Sequence, residues 1–188
     1  MKTNLLQTDS QVSQESMNAI WESLSSLDLE AVGASKYTVL EDILVKKFPS
    51  LWALKFKTIR NRPLTFTSST SPFRNRPWQR AILDDQHPNK AVKKSRQLGL
   101  SELSITEVIH FLITHPQTKA MYTFPTYSQM NDFSVSRVAP VFQDSPYLAA
   151  MLSNQVNNMQ TKKIMDSYLF MRSGSSGRIG EGVDVDSA

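Results

Sequence analysis

Residues 91–114 read A-V-K-K-S-R-Q-L-G-L-S-E-L-S-I-T-E-V-I-H-F-L-I-T, and this stretch decides the expected fold. Its pattern predicts a short strand over 91–94, a tight loop, and then an amphipathic helix over 101–114. A strand that enters a helix through a short loop containing glycine is the layout of a phosphate-binding loop. We therefore compared the loop with the known pattern for such sites.

The loop keeps half of the phosphate-binding pattern G-x-x-x-x-G-K-[ST]. Gly99 stands at the second glycine and Ser101 at the hydroxyl position, whereas Lys94 and Leu100 replace the first glycine and the lysine. The alternative is an ordinary turn between strand and helix, in which Gly99 adopts a left-handed conformation and Ser101 caps the helix.

Binding of a triphosphate at a helix start requires accessible backbone N–H groups, a cation and a hydroxyl that ligates Mg²⁺. Gly99 permits close approach of the backbone, and Ser101 supplies the hydroxyl. Lys94 lies at the end of the predicted strand, from which a long side chain can reach the same phosphates. Arg96 offers a second cation inside the loop, with bidentate geometry.

Composition limits the class of protein. The 188 residues include no cysteine, which excludes disulfides and thiolate metal sites and makes a reducing compartment the simplest expectation. No apolar run approaches the roughly 18 residues that span a bilayer, so we expect a cytosolic protein without membrane partners.

The charge is unevenly distributed along the chain. Residues 1–35 contain one basic and five acidic residues, whereas residues 36–97 contain fourteen basic and four acidic residues. A basic segment of this size suits a phosphate-rich partner, either a nucleotide or a nucleic-acid backbone. The other interpretation is a solvated surface with scattered arginines, because only clustering in space makes a patch.

The chain as a whole alternates predicted helices and strands, which is typical of an α/β fold with a largely parallel sheet flanked by helices. A polar tail occupies 1–14, and residues 51–66 fit a helix or a strand equally well. Helices are predicted at 16–29, 38–47, 77–85, 101–114, 127–142 (with a possible kink at Pro140) and 145–153, and strands at 91–94, 118–124, 156–165 and 168–172. We place a boundary between a mostly helical extension over 1–71 and an α/β domain over 72–188.

Several strings carry a resemblance to one family. K-S-R-Q-L-G-L-S-E at 94–102 resembles the ATPase motif of large terminase subunits, the motors that package DNA into tailed-phage and herpesvirus capsids. R-P-W-Q-R at 76–80 is similar to the glutamine motif of that family, whose glutamine, here Gln79, reads adenine. A strand ending in P-T-Y, a helix, a hairpin and a glycine-rich segment follow the family's order. The resemblance covers roughly residues 72–188.

The resemblance implies an ASCE-type P-loop NTPase that binds ATP with Mg²⁺ and couples hydrolysis to packaging of double-stranded DNA into a prohead. It implies catalytic roles for Lys94 and Arg96 and a metal-ligating role for Ser101. The nucleotide site that it implies comprises Gln79, Lys94, Ser95, Arg96, Gln97, Leu98, Gly99, Leu100 and Ser101.

The resemblance also implies partners: a homo-oligomeric ring at the portal, the small terminase subunit and double-stranded DNA. The expected location is the host cytoplasm during assembly, not the mature virion.

The sequence departs from the family's pattern in two places. Leu100 replaces the usual lysine, and no apolar run ends in Asp-Glu. We therefore expect a fold that is incomplete here, with the acidic motif and the nuclease domain beyond residue 188, and weak ATP hydrolysis by this chain alone.

Two alternatives remain open from the sequence. One is a helicase-like, nucleic-acid-dependent ATPase that shares a glutamine motif. The other is a basic DNA-binding or adaptor module with a vestigial loop, which predicts DNA binding that is sensitive to salt and indifferent to ATP.

Overall fold

The computed structural model describes residues 36–60, 62–66 and 76–174, and the chain divides into two compact units, 1–48 and 49–188. In the first unit, helix α1 spans Lys36–Lys47, in agreement with the helix predicted over 38–47. The predicted tail over 1–14 and helix over 16–29 lie outside the described residues. Within the described ranges, none of the helices is both long and apolar enough to cross a bilayer.

The second unit is a mixed α/β structure in which helices flank a four-stranded sheet. Its helices are α2 (Pro49–Phe56), α3 (Trp78–Asp84), α4 (Leu100–Thr114), α5 (Tyr127–Phe133), α6 (Ala139–Asp144) and α7 (Pro146–Met151), with a π-helical turn at Ser134–Val138. Its strands are β1 (Thr58–Ile59), β2 (Arg62–Pro63), β3 (Lys119–Phe124), β4 (Leu152–Asn157), β5 (Thr161–Ile164) and β6 (Ser167–Ser173).

Helix α4 is the centre of this unit and confirms the helix predicted over 101–114. Apolar side chains at helical spacing bury one side of it, with Ile105 and Ile109 completely inaccessible to solvent. It packs against α2, α3 and strands β3 and β6. Burial of large aliphatic side chains supplies most of the free energy that fixes such a helix in place.

The sheet is mixed rather than largely parallel, so that prediction was wrong. Among the described strands the order is β3-β6-β5-β4, and only the β3–β6 pair of these is parallel. The single strand predicted over 156–165 is two antiparallel strands, because Asn158 turns the chain between them. Its Oδ1 accepts the backbone N–H groups of Gln160 (2.9 Å) and Thr161 (2.8 Å).

The strand predicted over 91–94 is also wrong. These residues are exposed, with Val92 47 % accessible, and they pair with no described strand. Ala91 and Val92 are followed by two lysines, so the segment offers too little apolar surface to bury. The strand predicted over 118–124, in contrast, is confirmed as β3.

The ambiguous segment over 51–66 begins as helix α2 and continues as the short antiparallel pair β1–β2. Ser50, in the first turn of α2, binds Asp84 of α3 through its backbone N–H (2.9 Å) and its hydroxyl (2.5 Å). The rings of Phe56 and Tyr147 stack with centroids 4.0 Å apart. Residues 49–66 therefore pack within the second unit. The boundary at residue 71 stays a prediction, since 67–75 lie outside the described residues.

The predicted helix over 127–142 is present but interrupted. A π-helical turn separates α5 from α6, and the backbone N–H of Ala139 donates to the carbonyl of Ser134, five residues earlier. Pro140 follows directly, and it has no N–H to donate. The wider turn accommodates the proline without ending the helix.

Candidate functional site

The loop before α4 contains two residues in the left-handed region. Gln97 has φ = 62° and Gly99 has φ = 76°. Gly99 caps α4, and its carbonyl accepts the N–H groups of Glu102 and Leu103, both at 3.1 Å. The two left-handed residues reverse the chain within a few residues, so that it enters α4 without a strand before it.

Two side chains from the start of α3 hold this loop. Nη2 of Arg76 donates to the carbonyl of Gln97 (3.2 Å), and Nε2 of Gln79 donates to the carbonyl of Leu98 (2.7 Å). A Cβ atom on Gly99 would lie 2.5 Å from Nη1 of Arg76 and 2.9 Å from Nε2 of Gln79. Glycine is therefore required here both for its positive φ and for the close approach of these two side chains.

The structure thus brings Gln79 to the loop, where its contact is a loop carbonyl, and its expected role in reading adenine stays a prediction. Arg76 was part of the quoted R-P-W-Q-R string but received no role from the sequence. The hydrogen bond from Arg76 to the carbonyl of Gln97 was missed, because the spacing of a motif does not show which of several arginines turns inward.

Lys94 and Ser101 border the same cleft. This cleft has a volume of about 590 Å³ and lies between the segment leading to the loop, α4 and β3. Leu100, which replaces the usual lysine, also lines it. Ser101 is exposed in the first turn of α4. The structure therefore places the candidate cation and the candidate metal-ligating hydroxyl on one cavity.

The floor of the cleft is largely apolar and aromatic. Tyr122 closes one part of it, with its hydroxyl 2.8 Å from Oγ of Ser104, and burial raises the pKa of Tyr122 well above its usual range. Lys90 forms an ion pair with Glu107 at 2.5 Å, which fastens the segment before the loop to α4. The other lining residues include Phe111, Met121, Phe124 and Phe133.

The loop cations are available. Lys94 and Arg96 are exposed, and neither forms a hydrogen bond or an ion pair within the described part of the chain. Ser95 is exposed as well. Arg96 is absent from the lining of the cleft that Lys94 and Ser101 share. Two unpaired cations at a helix N-terminus create a positive field that suits a polyanion.

A third cation lies behind the first turn of α4, and the sequence did not reveal it. Lys57 is 1 % exposed, and its Nζ lies 2.5 Å from Oε1 of Glu102 and 2.5 Å from Oγ1 of Thr106. Burial lowers the pKa of Lys57, and the Glu102 carboxylate opposes that shift. The exposed Lys55 and the buried Lys57 have similar neighbours in the sequence W-A-L-K-F-K. The sequence pattern alone therefore does not show which of the two lysines is buried.

A metal site built from side chains alone is not present in the described ranges, where no three His, Cys, Asp or Glu residues cluster. The hydroxyl of Ser101 is one oxygen donor that these ranges offer on the cleft. A single hydroxyl suits Mg²⁺ that arrives with a nucleotide and takes most of its ligands from phosphate and water.

Comparison with known proteins identifies the family of the chain. Residues 61–179 match the family model described as the phage terminase large subunit gpA, ATPase domain. Comparisons with curated proteins and with solved structures gave no significant match. The matched region includes the Arg76–Gln79 contacts, the loop, α4 and the sheet. The chain therefore belongs to the family of the phage terminase large subunit gpA ATPase domain.

Proposed function

We propose that residues 94–101 form the ATP-binding loop of a DNA-packaging motor, with Lys94 as the principal phosphate ligand. The observation that carries this proposal is that Lys94 and Ser101 border one cleft at the start of α4, inside the region that matches the terminase ATPase family. The usual pattern has a lysine at the place that Leu100 takes here, and Lys94 would supply the charge of that lysine.

The residues present fit a triphosphate on three counts. The left-handed Gly99 lets the loop turn directly into the first turn of α4. The N-terminus of α4, a helix of 15 residues, favours an anion. Lys94 and Arg96 are exposed and unpaired within the described ranges, so no ion pair needs to break before they bind phosphate.

Each residue has a distinct proposed role. Backbone N–H groups of 96–101 would face the phosphates, and Lys94 would neutralise the terminal two. The hydroxyl of Ser101 would hold Mg²⁺, which supplies further neutralisation of the terminal phosphates when bound. Arg96 would stabilise the charge that develops on the γ-phosphoryl group during attack by water.

Gln79 can hold the loop and read adenine at the same time. One of its two amide N–H groups binds the carbonyl of Leu98, which leaves the second N–H and Oε1 for a base. Gln79→Leu should abolish a preference for ATP over GTP, whereas Arg76→Ala should weaken both nucleotides equally. Loss of discrimination in both variants, or in neither, would contradict the adenine role.

The family supports a proposal for the wider function. We propose that ATP hydrolysis drives translocation of double-stranded DNA by a homo-oligomeric ring at the prohead portal, together with the small terminase subunit, in the host cytoplasm. ATP-dependent protection of DNA from nuclease inside proheads is the measurement that checks this. Protection that persists without ATP would contradict it.

The decisive experiment for the loop compares two neighbouring lysines. ATP binding with Mg²⁺ is measured by calorimetry for the wild-type chain, Lys94→Ala and Lys93→Ala. Both side chains are exposed, but only Lys94 lines the cleft. Loss of a charge-assisted phosphate contact should weaken binding about 10- to 100-fold in Lys94→Ala. Lys93→Ala should remain within about twofold of wild type. Equal effects of the two substitutions would refute the role of Lys94.

A further inference from the structure

Within the described residues, the ammonium group of Lys57 makes its polar contacts with the first two turns of α4. Its Nζ reaches Oε1 of Glu102 (2.5 Å), Oγ1 of Thr106 (2.5 Å) and the carbonyl of Glu102 (3.4 Å). Thr106 in turn donates its hydroxyl to the same Glu102 carbonyl at 2.7 Å. The ammonium group is therefore fixed by three acceptors that belong to one helix end.

The position of this ion pair is unusual for a structural contact. A buried lysine loses the hydration of its charge, and an apolar side chain of similar volume would fill the same space without that cost. The partner carboxylate, moreover, is not buried. Glu102 keeps 29 % of its side chain exposed, and it follows Ser101 directly in the sequence.

Glu102 has two opposite effects at this helix end. A carboxylate in the first turn stabilises α4 through the helix dipole. The same carboxylate lies one residue from the hydroxyl proposed to serve the metal and phosphates, where an unpaired negative charge would repel a triphosphate. A cation that pairs with Glu102 from the protein interior removes this repulsion without occupying the cleft.

We propose that Lys57 is a positioning residue for phosphate binding, which neutralises Glu102 and holds the first turn of α4 in place for the loop. This inference rests on the proposed ATP site. It gives Lys57 a role complementary to that of Lys94: Lys94 contacts phosphate from the solvent side, while Lys57 cancels the acidic charge from the interior. Lys57 itself does not line the cleft.

The test removes the charge of Lys57 alone and then the charges of Lys57 and Glu102 together. Nucleotide affinity is measured by calorimetry on the whole chain. Lys57→Met should weaken ATP binding roughly tenfold, because Glu102, one residue from the proposed metal ligand Ser101, is left unpaired. The loss should be smaller for ADP and smallest for AMP, since it depends on phosphate charge. Lys57→Met with Glu102→Gln should restore ATP affinity to within about threefold of wild type. Lys55→Met, which removes an exposed lysine two residues earlier, in the last turn of α2, serves as the matched control.

Two outcomes would overturn the proposal. One is a folded Lys57→Met variant that binds ATP as tightly as Lys55→Met. The other is a double variant as weak as Lys57→Met, which would show that the charge of Glu102 is not the cause. If Lys57→Met does not fold, Glu102→Gln alone decides: ATP binding equal to or tighter than wild type supports the proposal, and weaker binding overturns it.

Lys94→Ala is measured in parallel to separate this inference from the proposed function. Weakened ATP binding in Lys94→Ala with unchanged binding in Lys57→Met would refute the role of Lys57 alone. Unchanged ATP binding in Lys94→Ala would refute the proposed site itself.

Discussion

The basic residues around α4 divide into two groups that the sequence does not distinguish. Lys57 is buried and holds three acceptors, whereas Lys94 and Arg96 are exposed and hold none within the described ranges. The first group loses its hydration in the folded state and must be compensated by the protein. The second keeps its hydration and remains available to a ligand. Burial and the number of nearby acceptors, rather than residue type, therefore separate structural cations from candidate ligand-binding ones.

The largest effect on stability should come from substitution of the buried Lys57. Lys57→Met leaves Glu102 and Thr106 without their partner and should lower the free energy of unfolding by about 3 kcal/mol. Lys93→Met, which removes an exposed lysine, should change it by less than about 0.5 kcal/mol. Denaturant unfolding measures both. A similar small loss in the two variants would remove the distinction between the groups.

Gly99→Ala should have the next largest effect. A left-handed backbone costs an L-residue about 1–2 kcal/mol, and the added Cβ would press on Arg76 and Gln79. Gln97→Gly serves as the control, because it places a glycine where an L-residue already has a positive φ. This substitution should be neutral or slightly stabilising. Thermal unfolding of both variants checks the expectation. Destabilisation by Gln97→Gly of the same size would show that side-chain contacts, not φ, dominate this loop.

The ion pair between Lys90 and Glu107 falls between the two groups. Its side chains are 18 % and 38 % exposed, so solvent screens it more than the pair made by Lys57. Lys90→Met should therefore cost roughly 0.5–1 kcal/mol, and the cost should shrink as salt rises. Unfolding at low and high ionic strength measures it. A loss that is large and independent of salt would place Lys90 with the buried group.

The smallest effect concerns pH and a second buried lysine, Lys162. Its Nζ binds neutral oxygens of Asn157 (2.9 Å) and Asn158 (3.3 Å), and burial lowers its pKa. The unfolded chain therefore binds more protons than the folded one between this lowered pKa and the ordinary value of 10.5. Stability should rise with pH in that window. Lys162→Met should flatten the rise, and an unchanged slope would contradict the assignment.

The sequence predicted the elements whose signals are local. The helical spacing of Leu103, Ile105, Ile109 and Leu112 was enough to predict α4, and the apolar run over 118–124 was enough to predict β3. The separate antiparallel strand β4 was not predictable in the same way, because it depends on the turn at Asn158. That turn comes from one side-chain oxygen accepting two backbone N–H groups.

The candidate site was predictable only as far as its motif. Gly99, Ser101 and Lys94 were chosen by position in a pattern, and the structure brings Lys94 and Ser101 to one cleft. The contacts of Lys57 and Arg76 depend on packing between segments that are distant in the sequence. No spacing rule contains that information, so both residues were missed.

The π-helical turn at Ser134–Val138 contains one residue more than a turn of a regular α-helix. The wider turn absorbs this residue locally, so the buried Val141 and Phe142 keep the face that they would have in an uninterrupted helix. Deletion of one residue within the turn would therefore restore the regular repeat and leave both side chains in the core. An α-helix rotates about 100° per residue, so one further inserted residue that the turn did not absorb would move both side chains off the core.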